Sequence, residues 1–328
     1  MDIIDVEGLT KTFRVRQRGE GRLLGRLRRN FFDVRAVDGV SFTIAPGEIV
    51  GYIGPNGAGK STTIKVLTGI LVPTSGRVRV AGLEPWRRRT ALARRIGVVF
   101  GQRTQLWWDL PLRESFELLR HIYRVPRDRH RANLDRYVGM LDMGDFIETP
   151  VRQLSLGQRM RGELVAALLH DPEVLYLDEP TIGLDVVAKA RIREFLLGLG
   201  PERGTTVLLT THDMGDIERL CRRVLVIDRG ELLYDGELEN IKERFGRERT
   251  VVVDLEEEAP PLSLGNVTIV RADGPRQWLR FDRDSRTAAD VIAEVARSAR
   301  IVDLTVEEPS IEDVVRRMYE TKGPGPIA

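Results

Sequence analysis

Nine consecutive residues constrain this chain more than any other stretch: Gly54-Pro55-Asn56-Gly57-Ala58-Gly59-Lys60-Ser61-Thr62. They fit the pattern G-x-x-x-x-G-K-[ST]. Residues 47–53 before them read as a buried strand, and residues 62–69 after them read as a helix. A strand, a glycine-rich loop and a helix in that order form a cradle for polyphosphate. The glycines let backbone N–H groups turn inward, and the helix N-terminus adds positive dipole. Lys60 is placed to reach the β- and γ-phosphates, and the Ser61 hydroxyl can ligate Mg²⁺. The competing explanation is a chance glycine-rich turn before a helix, and it weakens with each partner found elsewhere in the chain.

Taken in order, residues 2–9 and 36–44 read as strands around an Arg-rich segment at 14–35. Leu23, Leu24, Leu27, Phe31 and Phe32 fall at helical spacings there, which predicts one apolar stripe on a short basic helix. Such a helix suits an acidic membrane surface. The plain alternative is a solvated hairpin, or a helix packed on its own domain. Residues 77–82 and 96–100 read as strands, and 103–170 as a helical insert with helices at 113–124 and 128–143. Strands at 174–177, 206–210, 224–228 and 231–234 alternate with helices at 186–199 and 216–221. That alternation predicts a largely parallel sheet with helices on its faces. Beyond a linker at 237–247, residues 248–320 read as a small α+β unit, with strands at 250–255, 267–270, 277–281 and 301–306 and helices at 287–299 and 310–319. Residues 321–328 read as a frayed tail.

Four further places stand where a phosphate-loop enzyme needs them. Asp178 ends an apolar strand, where a carboxylate can hold Mg²⁺ through water. Glu179 follows it and could polarise the water that attacks the γ-phosphate. Two acids on a solvated loop are the alternative. Leu154-Ser155-Leu156-Gly157-Gln158 opens a helix, with Ser155 as N-cap and free N–H groups as an anion site. An ordinary helix cap is the alternative. His212 ends a strand, as a phosphate contact or a structural histidine. Gln102 is either a surface residue or a ligand reaching Mg²⁺ and water.

Composition narrows the class. No run of about 18 apolar residues predicts a membrane span, and the opening Met-Asp-Ile-Ile-Asp predicts no signal peptide. Cys221 is the single cysteine, which excludes internal disulfides and agrees with a reducing compartment. The net charge is +2, but arginines concentrate at 14–35 and 87–95, which suggests contact with an anionic surface, membrane or nucleic acid.

In order and spacing these residues closely resemble the ATP-binding subunit of an ABC (ATP-binding cassette) transporter. The resemblance covers residues 1–236, with the Walker A loop at 54–62, the Q-loop glutamine Gln102, the signature at 154–158, Walker B at 174–179, the D-loop Gly183-Leu184-Asp185 and the switch histidine His212. It implies the fold class α/β, a P-loop NTPase cassette with a helical subdomain, plus the C-terminal α+β domain. It also implies a Mg²⁺-dependent ATPase whose cassettes pair, each ATP held between the phosphate loop of one subunit and the signature of the other. Lys60, Gln102, Glu179 and His212 would be catalytic. Phe13 would stack on adenine, with a core phenylalanine as the competing reading. Ser155, Gly157, Gln158 and Asp185 would complete the nucleotide site, and Ser61, Gln102 and Asp178 would serve the metal. Leu156 departs from the usual signature glycine and is expected to face away from phosphate. Ile182 replaces a residue that is more often small or polar.

The C-terminal unit resembles the small domain appended to ABC-2-type exporters, through Pro309-Ser310-Ile311-Glu312-Asp313-Val314. Residues 101–124, with Trp107-Trp108, look like a subgroup associated with viologen or drug efflux. Trp107, Trp108, Leu110 and Leu112 would form a socket for the membrane subunit, with core packing as the alternative for each tryptophan. The expectation is an exporter ATPase at the cytoplasmic face of the cell membrane, held peripherally. Its expected partners are an integral membrane permease and a second cassette, as a homodimer, with direct contact to the membrane surface also compatible and no nucleic acid. A non-transport ABC ATPase acting on nucleic acid is the alternative, and an inactive nucleotide-binding scaffold a third.

Overall fold

The structure, a computed structural model, describes residues 2–16, 31–101, 103–211, 213–246, 248–258, 260–262 and 264–321. The chain divides into two compact units, Met1–Asp235 and Gly236–Ala328. The first unit begins with β1 (Ile4–Arg16) and β2 (Phe31–Ile44). Next come β3 (Ile49–Ile53), α1 (Lys60–Leu67), β4 (Ser75–Val80), α2 (Arg89–Ala93) and β5 (Ile96–Phe100). Three helices, α3 (Leu112–Tyr123), α4 (Arg127–Met140) and α5 (Leu156–Leu168), form the helical insert. The chain returns through β6 (Val174–Asp178), α6 (Val186–Arg203), β7 (Thr206–Thr210), α7 (Met214–Leu220), β8 (Arg223–Asp228) and β9 (Glu231–Glu237).

A six-stranded sheet in the order β5-β6-β7-β3-β8-β9 carries the site. From β5 to β8 its neighbours are parallel. Its central strands read as continuous apolar runs because parallel strands are covered on both faces. Ile-Val-Gly-Tyr-Ile in β3 and Thr-Val-Leu-Leu-Thr in β7 are buried almost throughout. Parallel strands send all their C-terminal ends to one edge, and that edge is where α/β sheets bind ligands. The phosphate loop after β3, Asp178 at the end of β6 and Thr210 at the end of β7 meet there for this reason. A three-stranded antiparallel sheet, β2-β1-β4, packs on the same core. That core joins Ile4, Val6 and Phe42 to Ile64 and Leu67 of α1 and to Tyr52 and Tyr176 of the parallel sheet.

At its described residues, 14–16 and 31–35, the basic segment forms strand and not the expected helix. β1 and β2 run on into it as an antiparallel ribbon, with Val15 opposite Phe32 and Arg16 opposite Phe31. Adjacent strand residues point to opposite faces, so Phe31 and Phe32 do not share a stripe. Both rings are exposed, and Arg14 lies 4.9 Å over the Phe31 ring. Pairing across the ribbon satisfies backbone groups that a short isolated helix would hold only weakly. The hairpin alternative therefore describes residues 31–35. Leu23, Leu24 and Leu27 lie outside the described residues.

The second unit is built on a four-stranded antiparallel sheet in the order β11-β12-β10-β13. Its strands are β10 (Glu248–Leu255), β11 (Val267–Asp273), β12 (Arg276–Asp282) and β13 (Ile301–Glu307). Alternating apolar residues Val251, Val253, Leu279 and Phe281 meet Val291 and Val295 of α9 (Ala288–Ser298). Thr287 and Asp290 close a capping box at the start of α9. The stretch read as a linker holds a helix, α8 (Leu238–Phe245), which packs with α10 (Ile311–Thr321).

Candidate active site

The loop from Gly54 to Gly59 is shaped by close backbone approach. A Cβ on Gly54 would sit 2.3 Å from the Ile227 carbonyl oxygen, and one on Gly59 would sit 2.3 Å from that of Ala36. Gly59 also holds φ at +108°, a conformation open to glycine alone at little cost. Ala58 is buried, and its carbonyl accepts the Gly230 N–H at 2.9 Å. Pro55 is half-buried, while Asn56 and Gly57 face solvent. Lys60 is buried at the first turn of α1, and its ammonium donates to the carbonyl oxygens of Gly54 and Pro55, the latter at 3.0 Å. Burial pulls its pKa below the usual lysine value, against the opposing pull of Glu179 and Asp178. A polyphosphate oxygen offers this ammonium a charged acceptor in place of neutral carbonyls, and charge-assisted bonds are roughly twice as strong.

The acidic pair sits across from this loop. Ser61 Oγ donates to Asp178 Oδ2 at 3.2 Å, and Thr210 Oγ1 donates to Asp178 Oδ1 at 2.6 Å. The β5–β6–β7 register explains this meeting, since Phe100, Asp178 and Thr210 lie side by side. Glu179 turns out of β6 at φ +57°, and its N–H donates to the Thr210 carbonyl at 2.9 Å. A left-handed non-glycine residue at a strand end marks a backbone held in place by its surroundings. A cleft of about 520 Å³ opens between these groups, lined among others by Asn56, Ser61, Lys65, Asp178, Glu179 and Ile182. Ser61 and Asp178 thus present adjacent hard oxygens, a set that suits Mg²⁺ with water and phosphate filling the remaining positions.

The signature is elsewhere. Ser155 caps α5, with Gln158 N donating to Ser155 Oγ at 3.2 Å and Ser155 N donating to Gln158 Oε1 at 2.9 Å. Ser155 is exposed, and neither it nor Gly157 lines the cleft that holds Ser61 and Glu179. Gly157 lies against α6, since a Cβ there would come within 3.2 Å of Ala188 Cβ. Leu156 points to Gly183 of the D-loop. Asp185 accepts from the Ala188 N–H at 2.8 Å. Phe13 is half-buried on β1 opposite Val34, outside the core, with Lys11 Nζ 5.2 Å from its ring centre. Thr62 follows in α1, half-buried. Gln102 and His212 lie outside the described residues.

Two findings reach beyond the sequence motifs. Asp216 of α7, 1% exposed, accepts from Thr181 Oγ1 at 2.5 Å, Thr211 Oγ1 at 3.3 Å and Arg193 Nε at 2.5 Å. Lys189 Nζ binds Asp213 Oδ2 at 2.7 Å beside it. This network joins the residues after Walker B to those around position 212. Its only sequence signal is an acid facing inward one turn into a helix. In the expected socket, Trp107 and Trp108 are exposed at 38% and 50%, but Leu112 is fully buried. A Cβ on Gly162 would come within 2.7 Å of Leu112 Cδ2, so this leucine fills the contact between α3 and α5 and cannot line a surface.

A phosphate loop, a paired strand-end acid and a helical insert bearing a second, serine-capped helix end define a nucleotide hydrolase of the cassette class. Residues 37–182 match the family described as ABC transporter, and residues 236–319 match the ATP-binding protein DrrA1-3-like C-terminal domain. The chain is 34% identical to the daunorubicin resistance ATP-binding protein DrrA3 of Streptomyces coeruleorubidus, over 87% of this chain and 92% of that protein. It is 40% identical to the Nod factor export ATP-binding protein I of Paraburkholderia xenovorans, over 64% of this chain and 69% of that one. Among solved structures, the cassette MJ0796 in a dimeric post-hydrolysis state bound to ADP and Pi superposes with a TM-score of 0.60 at 27% identity, covering 71% of this chain and 98% of that one. The chain belongs to the ABC transporter ATP-binding protein family, with a DrrA-like C-terminal domain, and is an ABC ATPase.

Proposed function

We propose that this chain drives export through a separate integral membrane protein, working as a pair of identical cassettes at the cytoplasmic face of the membrane. The observation that carries the pairing is the separation within one chain. The phosphate-loop cleft holds Ser61, Asp178 and Glu179, whereas the exposed Ser155 and the half-buried Gly157 line none of it. A second cassette would bring its own helix end to the nucleotide. The dimeric state of the MJ0796 cassette supports this arrangement. The membrane partner is supported by relatives named for export and drug resistance, and among the described residues no helix is long and apolar enough to cross a membrane. None of these relatives favours the nucleic-acid alternative.

In this reading Lys60 moves from the loop carbonyls to the β- and γ-phosphates, and the loop N–H groups orient the chain of phosphates. Glu179 polarises the attacking water. Gln102 and His212 contact the water and γ-phosphate, as the family resemblance implies. Ser61 and Asp178 would hold Mg²⁺, which supplies charge neutralisation at the phosphates.

Turnover per subunit is expected to rise with protein concentration until the dimer saturates, and Ser155→Ala should lower it about a hundredfold at saturation. Concentration-independent turnover, measured by phosphate release, would remove the paired-cassette reading. Phe13→Ala should raise the Kd for ATP about three- to tenfold, the worth of one aromatic stack. An unchanged Kd in a nucleotide titration would return Phe13 to a plain strand residue.

A further inference from the structure

The ribbon of β1 and β2 has two unlike faces. Cross-strand partners point to the same face, and residues two apart along a strand share it. The register pairs Phe13 with Val34 and Val15 with Phe32, so these four side chains share one face. It pairs Arg14 with Asp33 and Arg16 with Phe31, which share the other. Val15, Phe32 and Val34 are exposed, and Phe13 is half-buried. The second face is basic, and its aromatic ring already lies beneath Arg14. Phe31 and Phe32 are thus adjacent and exposed alike, at 45% and 44%, yet stand on opposite faces.

The apolar face starts at the phosphate loop. Lys11 pairs with Val37 and Thr12 with Arg35, which leaves Ala36 as the extra residue of a bulge. Lys11 is two residues from Phe13 on β1, and its Nζ lies 5.2 Å from the Phe13 ring centre, so Val37 belongs to the face of Phe13. A Cβ on Gly59 would come within 3.4 Å of Val37 Cγ2. The base of the ribbon also meets the turn after β8, where the Asp38 N–H donates to the Gly230 carbonyl at 2.8 Å. In the sheet, β8 and β6 lie on opposite sides of β3. Asp178 ends β6 and Glu179 follows it, so the acids flank one side of the loop and the ribbon flanks the other. A triphosphate with its γ-end at the acids points its base towards the ribbon.

Phe13 and Phe32 are diagonal neighbours across the ribbon, with Cβ atoms about 7 Å apart, a span that aromatic side chains still bridge. A base stacked on Phe13 has the row of Val15 and Phe32 as its next neighbour. We propose that Phe32 is a base-specificity residue: it covers the second ring of a purine whose first ring stacks on Phe13, so that the ribbon prefers ATP to a nucleotide with a one-ring base. The proposal rests on the reading that Phe13 stacks on the base. Covering two aromatic surfaces that otherwise face water supplies the free energy. A pyrimidine reaches Phe13 and stops short of Phe32.

The test titrates the full chain with ATP and with CTP, without Mg²⁺ so that hydrolysis does not intervene. Phe32→Ala should raise the Kd for ATP about three- to tenfold, the worth of one aromatic stack, and leave the Kd for CTP within twofold of the parent. Its thermal midpoint should match the parent, since the ring is exposed. Phe32→Tyr keeps the ring and should hold both Kd values within twofold. Phe31→Ala removes the neighbouring ring from the other face and should also leave both within twofold. A parent-like Kd for ATP in Phe32→Ala overturns the proposal. So does an equal loss for ATP and CTP, or the same loss in Phe31→Ala. A Phe32→Ala chain that keeps its ATP affinity but no longer sediments with phosphatidylglycerol vesicles would assign this face to the membrane, and overturns it too. Phe13→Ala, run alongside, separates the two readings, because it should weaken ATP and CTP alike. If it weakens neither, the stacking reading falls and the role of Phe32 falls with it. If it weakens both while Phe32→Ala weakens neither, the role of Phe32 alone falls.

Discussion

Replacing Glu179 by glutamine is expected to slow ATP turnover about 10²- to 10⁴-fold, the range for removing a positioned general base. The substitution is nearly isosteric, and the backbone that sets its position is fixed independently of the side chain. The residue is held at φ +57° by the strand register and by its N–H bond to the Thr210 carbonyl. The phosphate loop, Lys60 and the Ser61–Asp178 pair are untouched. ATP affinity should therefore stay within a few-fold of the parent, and the ATP-bound dimer should persist instead of being consumed. Steady-state phosphate release, nucleotide titration and size-exclusion chromatography with ATP read the three outcomes. Turnover within twofold of the parent would remove Glu179 from the role of base.

Gly54→Ala is expected to damage both stability and binding. The new Cβ would lie 2.3 Å from the Ile227 carbonyl oxygen and 2.9 Å from its Cγ2. Neither can step aside easily. Ile227 is fully buried on β8, and β8 pairs with β3 up to Ile53 opposite Val226, immediately before Gly54. Overpacking of backbone against backbone in a close-packed core costs about 3 kcal/mol. For a unit of this size that lowers the thermal midpoint by about 6–12 °C. The loop moves with it, and the Kd for ATP should rise more than tenfold. Gly57→Ala is the contrast, because no atom lies within 4 Å of its Cβ position. Only its positive φ of 82° resists the change, at about 1–2 kcal/mol. Equal thermal midpoints for the two variants would refute the steric account.

The phosphate loop, the strand-end acids and the Ser155 cap were legible because each depends on local chemistry. A glycine-rich turn, an apolar strand ending in a carboxylate and a helix-opening serine all declare themselves over a few residues. The Phe31–Phe32 end of the basic segment departs from the helical alternative for the same reason. Leucine and phenylalanine spacings at 23–32 favour a helix locally, yet Phe31 and Phe32 pair with Arg16 and Val15 across the ribbon. That choice is made by a partner strand that local periodicity does not see. Leu112 was placed on the surface by its neighbours Trp107 and Trp108, and it is buried because Gly162 of α5 leaves room for it.

The sequence by itself determined the candidate phosphate loop of this ATP-binding chain, because backbone conformation at glycine and charge at Lys60 are properties of adjacent residues. Only the tertiary structure decided what stands around that loop. Asp178 meets Ser61 and Thr210 across strands far apart in the chain, the Asp216 network ties the residues after Walker B to those around position 212, and Glu163 takes Thr104 and Gln105. A buried carboxylate gives the sequence no sign of its partner, since the bond that makes its burial tolerable is supplied by another element of the fold.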